Sequence, residues 1–262
     1  MKKTLTYVSL LLTPFLAFVL SSCLSNETDD RIKEAEKTLA LIEEKKNQEP
    51  TVSGQIGGHS YVDMGLNVKW ATCNVGATKP TEYGTFFAWG ETSPKEVFDM
   101  DSYKWYDSTI SSTVSTYERF SKYVSDSSNP NKDNKTVLEK EDDAAASNWG
   151  GDWCMPSLSD VNDLMNNCYW ADTDNYLNSG VAGILAISKI NGNTIFFPFA
   201  GEYSNYRKQL DKQGLSGYYW TSTLGSVSYI NDVNVLIVGQ YCNVMTIALE
   251  RVSGRSVRAV VK

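Results

Sequence analysis

From Tyr61 to Lys262 the apolar runs are short, and turn-forming residues interrupt them at every step. Aromatic and β-branched runs such as Thr194-Ile195-Phe196-Phe197-Pro198-Phe199 and Gly217-Tyr218-Tyr219-Trp220-Thr221 are separated by clusters of Gly, Asn, Asp and Ser. Such runs suit half-buried strands, and the clusters between them suit tight turns. The composition thus favours β structure and turns. Val233 to Val238 and Val244 to Leu249 flank Gly239-Gln240-Tyr241-Cys242-Asn243 and read as a β-hairpin. Ser256 to Val261 reads as a final strand.

Helices are few. Ser157 or Ser159 caps one with Val161, Leu164, Met165 and Cys168 on its apolar face. A weaker helical pattern covers Thr116 to Val124, and Asp126 to Lys135 reads as a polar loop. Residues 28–48 form a separate helix, started by Thr28 or Asp29. In it Ile32, Ala35, Leu39 and Ile42 recur at spacings of three and four, a seam of under three heptads flanked by Lys and Glu. So short a seam is marginal by itself, and the segment reads as a solvated stalk with weak self-association through residues 28–48. Pro50 to Gly58, with three glycines, reads as a linker.

The chain begins with Lys2 and Lys3, an apolar stretch from Tyr7 to Leu20, and Ser21-Ser22 before Cys23. That is the layout of a cleavable export signal, and the apolar stretch is short for a spanning helix. Leu20-Ser21-Ser22-Cys23 resembles the bacterial lipobox, which implies that Cys23 becomes a lipidated first residue. The polar, acidic run Ser25 to Asp30 resembles the surface-export signal of Bacteroidetes lipoproteins; a plain solvated spacer reads it as well. Residues 1–22 are thus expected to be a signal peptide. Residues 23–58 would form a tether and 59–262 a single domain, large enough to bury a substantial core. The expected address is the outer membrane, with the domain exposed at the surface.

Removal of Lys2 and Lys3 leaves 22 basic against 31 acidic side chains, a net charge of −9. No basic footprint for nucleic acid remains, so the membrane partner would be reached through lipid and not through charge. Four cysteines are left, Cys73, Cys154, Cys168 and Cys242, which permit up to two disulfides with three connectivities. Buried free thiols are the alternative. His59 is the sole histidine and no C-x-x-C is present, which argues against zinc. No motif points to any other metal or to a cofactor.

Several segments together carry a family resemblance. They are Tyr61 to Ala77, Glu82 to Glu91, Glu141-Asp142-Asp143-Ala144-Ala145, Asn148 to Ser157, Tyr218 to Thr223 and Arg255-Ser256-Val257-Arg258. Their order and spacing resemble the Fibrobacter succinogenes major paralogous domain of Bacteroidetes surface lipoproteins over nearly all of residues 61–262. The resemblance implies a C-type-lectin-like fold related to that of the formylglycine-generating enzyme. The fold class expected is therefore α+β, with short irregular strands, few helices and a stalk helix in front. It further implies that Tyr61 to Lys69 pairs near Ser256 to Val261 and that the Trp-rich segments are structural. One departure is Cys154, where the family pattern carries arginine, and this puts a buried arginine contact in doubt.

The residues argue against an enzyme. A Ser-His-Asp set would need His59, which lies in the glycine-rich stretch. Glu141-Asp142-Asp143 precedes Ala144-Ala145-Ala146 and reads as the acidic cap of a short helix before it reads as a glycosidase pair or a calcium site. Cysteine-dependent oxidation, as in the formylglycine-generating relatives, would rest on fold analogy alone. Recognition of an extracellular glycan or protein is the function expected. Its candidate residues are Tyr229, Asn231, Asp232, Asn234, Gln240, Tyr241 and Asn243, because Tyr and Asn give rigid contact area and adaptable hydrogen bonds. Each could also be an ordinary turn or outward strand position. A structural envelope role is the alternative, as is a C-terminal region diversified by retroelements to vary the ligand.

Overall fold

A computed structural model describes residues 26–46, 48–110, 113, 115–125, 129–225 and 232–262. The expected signal peptide and Cys23 lie outside the described residues, as do Tyr229 and Asn231. The chain divides into two compact units, one ending at Glu44 and one running from Lys45 to Lys262. The first holds nearly all of helix α1 (Asn26–Lys45), close to the expected stalk. On α1, Ile32 and Ile42 are half-buried, Ala35 is exposed and Leu39 is 46% exposed.

The second unit is α+β, and all its named strand pairs run antiparallel. Its strands are β1 (Gly54–Ile56), β2 (His59–Val62), β3 (Lys69–Ala71), β4 (Trp153–Cys154), β5 (Cys168–Thr173), β6 (Gly183–Ser188) and β7 (Thr194–Pro198). There follow β8 (Glu202–Ser204), β9 (Gln209–Asp211), β10 (Ser216–Leu224), β11 (Asp232–Gly239), β12 (Asn243–Glu250) and β13 (Val260–Val261). They form sheets of order β1-β2-β3-β13-β4, β10-β11-β12, β5-β6-β7 and β8-β9. Two helices, α2 (Ala144–Trp149) and α3 (Leu158–Asn167), lie between β3 and β5 in sequence.

The expected pairing of early and late strands is present. Trp70 faces Val260 and Lys69 faces Val261 across β3 and β13. The final strand is shorter than expected, covering Val260–Val261 alone. Upstream of it, Ser256 makes only an isolated bridge to Tyr219. The Pro50 to Gly58 linker is corrected. Gln55 and Ile56 pair with Ser60 and His59, and Gly57 and Gly58, at φ of 59° and 85°, make the two-residue turn. Positive φ at both central positions is what a twisted hairpin turn requires, and glycine adopts it without cost to a side chain. The helix expected over Thr116 to Val124 shrinks to one 3₁₀ turn, Thr116–Arg119. Beyond it Tyr123 turns to φ 59°, with its N–H donating to Asp133.

Sheet β10-β11-β12 lies between two apolar clusters, and strand alternation decides which residue serves which. Leu236, Val238 and Tyr219 join Trp70, Phe197 and Leu164 on one side. Val233, Val235 and Trp220 join Trp89, Trp153 and Val257 on the other. Trp70, Trp89, Trp153 and Trp220 are all buried, so the Trp-rich segments build core. Helix α3 starts as expected, with a capping box between Ser157 and Asp160. Asp143 likewise caps α2, accepting from the Ala145 and Ala146 N–H groups, and it also accepts from Met155 N–H at 2.7 Å.

A candidate recognition surface on the β11–β12 hairpin

The β11–β12 hairpin has a half-buried base and an exposed tip. At the base Asp232 stands opposite Glu250, two like charges across one strand pair. Arg255 answers them. Its Nε donates to Glu202 at 2.7 Å and its NH2 to Glu250 at 3.0 Å, while NH1 donates to the Glu250 carbonyl at 2.7 Å. This guanidinium is 1% exposed and sits 4.5 Å over the Trp220 ring. Asp232 is half-buried beside them. Burial, followed by the neighbouring Glu250, pushes its carboxyl above the ordinary range. Asn234 Nδ2 donates to the Leu224 carbonyl at 2.9 Å and to Thr223 at 3.3 Å, and Thr221 Oγ1 donates to the Asn234 carbonyl at 2.7 Å. These bonds close the β-bulge where β10 slips register between Trp220 and Leu224. Asn234 is thus engaged by its strand neighbours, while Asp232 stands half-buried at the same end of the hairpin.

The tip carries the others. Gly239 pairs with Asn243, and the three residues between them turn the chain, Tyr241 at φ 61° and Cys242 at φ 54°. Left-handed backbone at two successive non-glycine residues is held from outside by β5. Tyr241 N–H donates to Asp172 Oδ2 at 3.3 Å, and the Cys242 thiol lies 3.2 Å from the Trp170 carbonyl and 3.3 Å from Asp172 Oδ1. Tyr241 is 91% exposed on this anchored loop, Asn243 is exposed and Gln240 is half-buried.

Along β12, Asn243, Met245 and Ile247 point to one side by strand alternation. Met245 and Ile247 remain 41% and 44% exposed. Ile237 faces Met245 and Tyr218 faces Ile237 across the sheet, both half-buried. Leu215, 50% exposed, lies beside the tip, its carbonyl accepting from Gln240 N–H at 3.4 Å. An apolar strip of this kind beside polar tip residues suits a partner's surface better than water. Sequence reasoning missed Leu215, Met245 and Ile247. The available signal was the segment Val244-Met245-Thr246-Ile247-Ala248-Leu249, apolar on both faces but for Thr246 although β12 is an edge strand.

The four cysteines are free thiols, so neither disulfide allowed by their number is formed. Cys73 donates to the Ala77 carbonyl at 3.3 Å, Cys168 is buried in the core and Cys242 sits on the tip. Cys154 lines a cavity of about 380 Å³ together with Leu138, Lys140, Asp143, Ser222 and Lys262. Burial pushes its thiol up to about 11 and that of Cys168 to about 12. Both stay protonated at neutral pH and are weak nucleophiles there. In the same cavity Asp143, whose carboxyl burial also raises, is occupied by three backbone N–H donors.

His59 stacks on Trp149 at 4.0 Å between centroids and meets Trp153 edge-on at 6.3 Å, and its burial lowers its pKa. Among the described residues no group of three His, Cys, Asp or Glu side chains could hold a metal ion, and no helix is long and apolar enough to cross a membrane.

Two further arginines are buried. Arg258 donates to Asn74 Oδ1 and the Phe196 carbonyl, both at 2.9 Å, and lies 4.6 Å over Phe197. Arg251 donates to the Lys122 carbonyl at 3.0 Å and lies 4.2 Å over Phe120. No family model, no curated protein and no solved structure matches the chain.

Proposed function

We propose that this chain is a non-enzymatic lipoprotein of the outer membrane. In this reading a C-type-lectin-like domain of the Fibrobacter succinogenes major paralogous type recognises an extracellular glycan or protein. The observation that carries the recognition reading is the contrast within one hairpin. Tyr241, Met245 and Ile247 are held out to solvent on a strand pair whose other end is half-buried and clamped. A rigid aromatic beside an apolar strip and short polar side chains is the composition that binding surfaces favour, because little entropy is lost on contact.

The lectin-like fold is supported by the joined early and late strands and by the buried tryptophans of the resembling segments. The non-enzymatic reading is supported by the upward shift of the Cys154 and Cys168 thiols and by the stacking of His59 on Trp149. The anchor rests on the lipobox resemblance at Leu20 to Cys23.

Glycan arrays and pull-downs from cell-surface extracts, run with the mature chain and with Tyr241→Ala and Ile247→Ser, test the recognition reading. Binding that both substitutions reduce is expected. Binding that neither changes would move the site elsewhere, and no binding in either format would favour a structural envelope role. Fatty-acid labelling, lost in Cys23→Ser, tests the anchor, and protease treatment of whole cells tests display.

A further inference from the structure

Helix α1 has an apolar seam whose flanking charges specify how it would be covered. With Ile32 and Leu39 at a positions and Ala35 and Ile42 at d, the flanking e positions hold Asp29, Glu36 and Glu43, and the g positions hold Arg31, Thr38 and Lys45. The two orientations of a helix pair use these flanks differently. In an antiparallel pair e faces e and g faces g. Asp29 then meets Glu43 of the other copy, Glu36 meets its own counterpart, and Arg31 meets Lys45, so like charge meets like charge throughout. In a parallel pair each g position faces the e position of the next heptad. Arg31 then meets Glu36 of the second copy twice over by symmetry, and Thr38 meets Glu43 without conflict.

We propose that α1 pairs with α1 of a second copy of this chain, parallel and in register, so that recognition domains are presented in twos. Leu39, 46% exposed, is the seam residue with most apolar surface to gain, and Ala35 at d allows the backbones to approach closely. A seam of four apolar positions is too short to associate strongly in dilute solution. Tethering both copies to one membrane raises their effective concentration and aligns both helices away from it, the orientation the charges select. The pairing rests on the anchor proposed above for its local concentration and not for its orientation. Exposed ion pairs of this type choose a partner and register more than they add affinity.

The test uses the full lipidated chain reconstituted in phosphatidylcholine vesicles at increasing protein density. Leu39→Cys places thiols face to face across a parallel seam, within disulfide reach, whereas Lys37→Cys places them on outer faces. A density-dependent disulfide dimer is expected for Leu39→Cys above the level of the unsubstituted chain, and none above it for Lys37→Cys. Glu36→Arg should lower the dimer yield about fivefold, and Arg31→Glu combined with Glu36→Arg should restore it. Equal cross-linking at positions 37 and 39, or failure of the double reversal to restore, would overturn the pairing. Vesicle flotation reports the anchor independently. If the chain does not float, sedimentation of the same charge variants at high concentration reads the pairing without it.

Discussion

At the base of the β11–β12 hairpin Asn234 and Glu250 are engaged by the fold, whereas at its tip the same two strands turn Tyr241 to solvent. Both ends are rich in residues that a sequence presents as recognition chemistry. What separates them is the company each finds in space. Arg255, Glu202 and the β10 bulge converge on the base, whereas the Asp172 carboxylate and the Trp170 and Leu215 carbonyls meet the backbone and thiol of the turn and leave the Tyr241 ring in solvent. A polar side chain on a strand thus gains its role from long-range neighbours.

The contrast can be broken most forcefully at Arg255. Its replacement by Ala leaves Glu202 and Glu250 facing a void at the base, and a loss of about 3–5 kcal/mol is expected. For a domain of this size that lowers Tm by roughly 10 °C in a calorimetric scan. Asn234→Ala removes the donor that closes the bulge and should cost about 1–3 kcal/mol in chemical unfolding.

Asp232→Asn acts in the opposite direction. Its folded carboxyl binds a proton more readily than the unfolded one, so its charge opposes folding once the pH rises above the unfolded value of 3.8. The variant should melt higher than the parent at neutral pH, and the difference should close as the pH falls below 3.8. An unchanged difference across that range would mean that neither burial nor Glu250 opposes the charge of Asp232 in the folded chain. At the tip, Tyr241→Ala and Ile247→Ser should move stability by no more than about 0.5 kcal/mol while binding falls. A large destabilisation there would make the tip framework as well.

Legibility in the sequence follows the same division between local and distant causes. The capping box at Ser157 and Asp160, the Asp143 cap and the β11–β12 hairpin are set by residues a few positions apart, and all were readable. The β1–β2 hairpin carried a readable signal too, since Gly57-Gly58 between short extended runs is a turn dipeptide. The same three glycines also fit a linker, and the pairing of Gln55 with Ser60 is what separates the two. The 3₁₀ turn at Thr116 was not readable, because Asp133 draws the chain away at Tyr123 from across a loop. Nor was the burial of Arg251, Arg255 and Arg258, whose acceptors come from as far away as Asn74 and Lys122. Of the candidate site, Tyr241 and Asn243 were legible by residue type, while Met245 and Ile247 needed the knowledge that β12 is an edge.

Residues 251–261 are buried without exception, and they feed all three apolar clusters, through Val252, Val257, Ala259, Val260 and Val261. They also supply β13, which completes the sheet by joining β3 to β4. One short stretch of chain thus links the three clusters, so a single break in it would reach each of them.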